Sequence, residues 1–233
     1  MFPLTNDPKH GPLPPLLILL TMVTGLVDAV SYFRLDHVFV ATMTGNVVFV
    51  GFALGGAAEF SIFASLAALA AFLAGALMGG RLVRRFGSHR ARQVAVISAV
   101  KLVLEVAALA VVLAVPDLDG PAPRYALIAL LAVAMGIQNA SVRSLGVPGL
   151  TTTVLTMALT GLAADWLAGG GAGVKPWRML MGLITMLIGA AVGAILVRHG
   201  FTWIALAAVV GLQAIVGLVA WWHASSTATW TTA

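Results

Sequence analysis

Leu16 to Phe33 reads LLILLTMVTGLVDAVSYF, a nearly unbroken apolar run with one carboxylate, Asp28, close to its end. Wound as a helix at 1.5 Å per residue, a run of this length covers roughly 27 Å, close to the roughly 30 Å of a bilayer's hydrocarbon core. A secretory signal would share its length and position, but the embedded Asp28 and the lack of a small-residue cleavage site favour a mature spanning helix. Comparable segments follow at about Val38 to Leu54, Ala57 to Leu82, Val94 to Val115, Tyr125 to Ser141, Val147 to Leu167, Met179 to Val197 and Phe201 to Trp222. Lipid offers no partners for backbone N–H and C=O groups, so runs of this length close their hydrogen bonds internally as helices. The expected fold is all-α: a single integral membrane domain, a polytopic helical bundle of about eight apolar segments, or six spans if two segments are re-entrant.

Composition agrees. Apolar residues make up 61% of the 233-residue chain and charged residues 9%, against about 25% charge in an ordinary soluble domain; mean hydropathy is +1.03. The net charge of +5 could suggest a nucleic-acid partner. The basic residues, however, lie in short connections between apolar runs, where they set membrane orientation, so the expected partner is the lipid bilayer and not nucleic acid. The chain has no Cys, which removes disulfides, thiolate metal sites and Cys nucleophiles. His10, His37, His89, His199 and His223 fall at helix ends or in loops without metal-ligand spacing, and no phosphate-binding loop, dinucleotide fingerprint or nucleophile elbow occurs. No metal, cofactor or enzymatic role is expected.

If all eight segments cross, Arg34, Arg81, Arg84, Arg85, Arg90, Arg92, Arg143 and Arg198 share one side, while Lys9, Arg124, Lys175, Arg178, Asp117 and Asp119 share the other. Basic loops stay cytoplasmic, so both termini are expected outside. Trp166, Trp177, Trp221 and Trp222 would then lie at the outer interface and Trp203 at the inner one.

The chain also resembles itself. Gly25-Leu26-Val27-Asp28-Ala29 parallels Gly136-Ile137-Gln138-Asn139-Ala140 at a spacing of 111, and Gly75 to Arg84 matches Gly189 to Arg198 at six of ten positions at a spacing of 114. Between them, Ala41-Thr42-Met43-Thr44-Gly45-Asn46 and Thr151-Thr152-Thr153-Val154-Leu155-Thr156 occupy equivalent places. The expectation is a duplicated unit, at about residues 16–115 and 125–222, joined by the polar linker 116–124. If Arg84 and Arg198 are both cytoplasmic, each unit has an even number of crossings, which favours eight spans; two re-entrant Thr-bearing segments would instead give three crossings per unit and inverted halves.

Taken in order, Gly25 to Tyr32, Met43 to Asn46, Gly136 to Ala140 and Thr151 to Thr156 make the chain similar to the YoaK family of bacterial membrane proteins, a domain of unknown function. Met157 departs from the family pattern, where a Gly is usual. The resemblance implies a multi-pass bacterial inner-membrane protein and brings no substrate or catalytic residues with it.

Ionisable groups inside a span cost at least about 2.5–3.5 kcal/mol on insertion scales, so each needs a partner or a water path. Counted from what would be the same membrane face, Asp28 and Lys101 lie at similar depth and are expected to pair, with Glu105 beside Lys101 through i,i+4 spacing. Alternatively, Asp28 or Glu105 exchanges protons. Asp28, Thr42, Thr44, Asn46, Gln138, Asn139, Thr153 and Thr156 are the candidates for lining a solute path, with Ser141 beside them; the alternative for the hydroxyls is interhelical hydrogen bonding worth about 0.6–2 kcal/mol each. Small-xxx-small spacings at Gly51/Gly55, Gly75/Gly79 and Gly189/Gly193 are expected to pack helices within the chain. The functional expectation is a secondary permease or exporter of a small solute; the alternative is a non-transporting membrane scaffold or assembly protein. Oligomeric state is left open by the sequence.

Overall fold

A computed structural model describes residues 9–115, 117–148, 155–161, 163–164 and 176–232. Among them eight α-helices follow one another: α1 (Leu13–Arg34), α2 (Met43–Leu54), α3 (Ile62–Phe86), α4 (Arg90–Ala114), α5 (Pro121–Leu145), α6 (Leu155–Gly161), α7 (Pro176–Arg198) and α8 (Thr202–Trp222). Six are long and apolar enough to cross a membrane, whereas α2 and α6 are not. The twelve residues of α2 span only about 18 Å, so the expectation of eight crossings gives way to six crossings and two short helices.

The break after α1 has a local cause. Asp36 (φ 66°) and His37 (φ 57°) both adopt left-handed backbone, which costs an L-residue about 1–2 kcal/mol and cannot continue a right-handed helix. The chain turns back there, runs without helix through residues 38–42 and enters α2. Other ends carry ordinary signals: Pro14 and Pro15 in the first turn of α1, Ser61 accepting from the Ala64 N–H at 3.2 Å, and left-handed Gly146 closing α5.

Two close helix pairs organise the bundle, α1 with α7 and α3 with α5. A Cβ on Gly25 would stand less than 3.0 Å from the Met186 carbonyl and the Ala190 nitrogen, and one on Gly189 equally near the Met22 carbonyl. In the other pair Gly136 abuts Phe72 and Ala76, Gly75 abuts Val133, and Gly79 abuts Ile137 and Ala140. Contacting positions rise together along both partners, so each pair is parallel. The partners in one pair differ from those in the other by 111 residues between α1 and α5 (Met22/Val133, Gly25/Gly136) and by 114 between α3 and α7 (Phe72/Met186, Gly75/Gly189). Without a hydrophobic force between helices in lipid, such backbone-to-backbone approach supplies the dispersion contact that holds them. α1 and α5 lie at the centre, with 72% and 61% of their apolar windows buried, against 22–33% in the other four long helices.

These directions fix which loops share an end. Arg34 contacts Asp119 at 3.6 Å and Arg124 contacts Asp36 at 3.1 Å, so α1 ends where α5 begins; this is the distal end. α7, parallel to α1, also finishes there, placing Arg198 distally. α3, parallel to α5, finishes at the opposite, proximal end with Arg84. The expectations that Arg84 and Arg198 share a side, and that Arg34 lies opposite Asp119 and Arg124, are therefore corrected: the first depended on Val147 to Leu167 being a full crossing, the second on α2 being one. At the proximal end residues 223–232 fold back over the bundle, with His89 Nε2 and the Ser226 carbonyl 2.9 Å apart and Trp230 against Gly11. Trp177, Trp221 and Trp222 belong to this end and Trp203 to the distal one; Trp166 lies outside the described residues.

Candidate functional site

Polar side chains gather inside the bundle at two levels. The first holds the backbone between α1 and α2. Asp28 Oδ1 accepts from the N–H groups of Val40 (3.2 Å) and Ala41 (2.9 Å), and Oδ2 accepts from the Thr42 hydroxyl at 2.5 Å. Asn46 closes the same segment from the other side: its Oδ1 accepts from the Phe39 N–H at 2.8 Å and its Nδ2 donates to the Phe39 carbonyl at 2.6 Å. Asp28 sits six residues before the end of α1, so residues 40–42 reach roughly 9 Å into the bundle from the distal end. Non-helical backbone at that depth must be satisfied by protein, which is what these two side chains do. Tyr32, Phe39, Phe49 and Phe60 stack in succession beside it, at centroid distances of 5.4, 5.5 and 4.7 Å. Replacing Asp28 by Ala leaves two buried N–H groups unpaired, each costing about 1–3 kcal/mol. Asp28→Ala is expected to loosen this segment, read as faster labelling of a Cys placed at Val40 than in an otherwise wild-type background, while Asp28→Asn, which keeps an acceptor oxygen, has a smaller effect; equal labelling rates in all three would sink the anchoring role.

The second level is central. Lys101 is 1% exposed and Glu105 fully buried, 3.3 Å apart one turn along α4. Lys101 Nζ also donates to Gln138 Oε1 on α5 and, at 2.7 Å, to Gln213 Oε1 on α8. Gln138 Nε2 donates in turn to Thr24 Oγ1 on α1 at 3.0 Å. Groups of α4, α5 and α8 thus meet on one ammonium, and Gln138 joins α1 to them. Between this network and the proximal end lies a void with room for about one water molecule, lined by Leu20, Ser98, Lys101, Gln138, Ser141 and Gln213 among others. Beyond it, Gln93 Nε2 donates to Ser141 Oγ (3.1 Å) and Ser144 Oγ (2.6 Å).

The expected Asp28–Lys101 pair does not form. Asp28 is counted from the distal end of α1 and Lys101 from the proximal end of α4, so their equal depths refer to opposite faces. The i,i+4 pair Lys101–Glu105 is present as expected. Gln138 reaches Lys101 and Thr24, not the Thr-bearing segments, and Asn139 Nδ2 bonds back to the Met135 carbonyl at 2.9 Å. Thr42 faces Asp28, but Thr44 and Thr156 are exposed on the outside of their helices; Thr153, with Thr151 and Thr152, lies outside the described residues. Sequence reasoning missed Thr24 and Gln213. A lone amide in the otherwise apolar run of α8 was the available signal, since an unbonded amide in hydrocarbon is costly.

A family model described as "Protein of unknown function (DUF1275)" matches residues 16–219. The chain belongs to this family. The match takes in every helix that carries the two polar levels and all four motifs quoted above. Among curated proteins, the UPF0700 transmembrane protein YoaK of Bacillus subtilis (strain 168) is 37% identical over 150 residues, covering 64% of this chain and 65% of that relative, just under two thirds of its length. No solved structure matches. Family membership and the six long apolar helices together make this a multi-pass transmembrane protein.

Proposed function

We propose that the chain is a secondary permease or exporter for a small solute in a bacterial plasma membrane. The observation that carries this reading is the interrupted backbone at 38–42, drawn into the bundle and held by Asp28 and Asn46. Discontinuous helices between two halves of a bundle are how many transporters present polar backbone to a substrate at mid-membrane; the comparison is one of architecture. Two units of three crossings and one short helix each, inverted with respect to one another, are supported by the 111- and 114-residue offsets of the glycine contacts and by Arg84 and Arg198 lying at opposite ends. The solute would pass between Thr42 at the distal level and Ser98 and Ser141 at the proximal one. Arg81, Arg84, Arg85, Arg90, Arg92, Arg143 and Arg178 belong to the proximal end against Arg34, Arg124 and Arg198 at the distal end, so the proximal end faces the cytoplasm in this reading.

With no native Cys, single Cys residues at 42, 98 and 141 can be challenged with a membrane-impermeant thiol reagent in intact cells and in inverted vesicles, with Arg34→Cys and Arg84→Cys marking the two faces. Labelling of 42 from outside, and of 98 or 141 from inside, is the expected result. Protection of all three with both markers labelled would favour a closed polar seam in a membrane scaffold, a reading that the small size of the central void would then support.

A further inference from the structure

The central network is short of hydrogen bonds in one particular way. The Lys101 ammonium donates hydrogen bonds to Gln138 and Gln213 and forms a 3.3 Å ion pair with Glu105. Glu105, fully buried, faces only Lys101 and makes no hydrogen bond through either oxygen, while Gln213 Nε2 is likewise buried without an acceptor. A carboxylate in hydrocarbon ordinarily collects several donors; this one is left with unused acceptor capacity, beside a cation that adjoins a water-sized void. The void has no room for a solute of several heavy atoms. The smallest donor that completes the carboxylate is a proton.

We infer that Glu105 is a proton-binding site and that Lys101 is the relay through which it loads from the proximal side, the geometry being the 3.3 Å pair next to a void that Ser98 and Ser141 line. The Lys101 ammonium passes one proton to a Glu105 oxygen, and the resulting amine takes one from a hydronium ion in the void, leaving water. The net change is one proton gained by the pair, with Lys101 again an ammonium held by Gln138 and Gln213. Among the described residues no other ionisable group faces the pair. α8 contains none, those of α3 are Arg81, Arg84 and Arg85 at the proximal end, and those of α5 are Arg124, Tyr125 and Arg143 near its two ends. On α1 the nearest is Asp28, whose two oxygens are occupied at residues 40–42. As a coupling device the site rests on the permease reading, since a proton gained here draws on Gln138 and Gln213 and so on all the helices they join.

The sequence makes a direct test possible, because the chain has two glutamates, Glu59 and Glu105, and Glu59 is exposed in the loop before α3. Wild-type protein in lipid nanodiscs, grown with carboxyl-13C glutamate, is followed by infrared spectroscopy across the pH range in which it stays folded. The expected result is a protonated-carboxyl band, insensitive to slow solvent exchange and therefore distinct from Glu59, that titrates, shifts with labelled glutamate and not with labelled aspartate, and is absent in Glu105→Gln. A band that shifts with labelled aspartate instead, or no titrating buried carboxyl in the wild-type protein, overturns the assignment, and neither outcome depends on a variant folding. Protection of positions 42, 98 and 141 from thiol reagents would defeat the permease reading while leaving a glutamate band intact, so the two can fail separately.

Discussion

Gly136→Ala is expected to lower the melting temperature of the purified protein more than any other single added methyl group in the bundle. The Cβ of alanine at this position would fall inside van der Waals contact of the Phe72 carbonyl and the Ala76 nitrogen. Both are backbone atoms of α3, which cannot rotate away as a side-chain tip would. The helices must separate along the whole pair, giving up the Gly75 and Gly79 contacts as well. Overpacking of this kind costs about 1–3 kcal/mol, enough to match or outweigh the helix-propensity gain of about 1 kcal/mol that alanine brings relative to glycine. Gly211→Ala on α8 is the control, since nothing lies within 4 Å of its added methyl; it should keep the propensity gain and melt at or above the wild-type temperature. Gly25→Ala, at the corresponding place on α1, should behave like Gly136→Ala. Equal melting of Gly136→Ala and Gly211→Ala would show that the α3–α5 pair is looser than described.

Lys101→Met should be the most damaging charge substitution. It removes the one group that balances Glu105 and strips an acceptor's partner from both Gln138 and Gln213 in a single step. Breaking a buried pair from one side costs about 3–5 kcal/mol, because the remaining charge is stranded. Replacing both members by apolar residues of similar volume is often neutral or better, so Lys101→Met combined with Glu105→Leu should recover much of the loss in yield and melting temperature. If the double variant is as unstable as Lys101→Met alone, the ammonium is needed for holding Gln138 and Gln213 together more than for balancing Glu105.

The helical membrane class was legible because composition leaves no other way to cover the surface. What hydropathy could not separate was a crossing from a re-entrant segment: Val38 to Leu54 is apolar apart from Thr42, Thr44 and Asn46, but left-handed backbone at Asp36 and His37 and the demands of Asp28 take its first residues out of the helix. That miscount reversed the parity of the loops from α2 to the end of α5, and a second one, at Val147 to Leu167, restored it. The separation of Arg34 from Asp119 and the depth match between Asp28 and Lys101 followed from the first, while the shared side of Arg84 and Arg198 followed from counting Val147 to Leu167 as a crossing. Lys101–Glu105 survived because i,i+4 spacing is internal to one helix and independent of topology. For the threonines, residue type identified those able to bond but not which way they face: Thr42 turns to Asp28, while Thr44, two positions on, points out of the bundle.

The parallel pairing of α1 with α7 has a consequence for how the molecule is made. Gly25 and Gly189 meet across about 160 residues of sequence, and at a synthesis rate of roughly 5–20 residues per second α1 waits on the order of 10–30 s for its partner to emerge. Throughout that interval the most deeply enclosed helix of the finished protein stands in lipid or against the insertion machinery, with the groove meant for α7 open. A ribosome stalled before Met179 would therefore release a chain whose central helix lacks its closest neighbour, a natural target for membrane quality control.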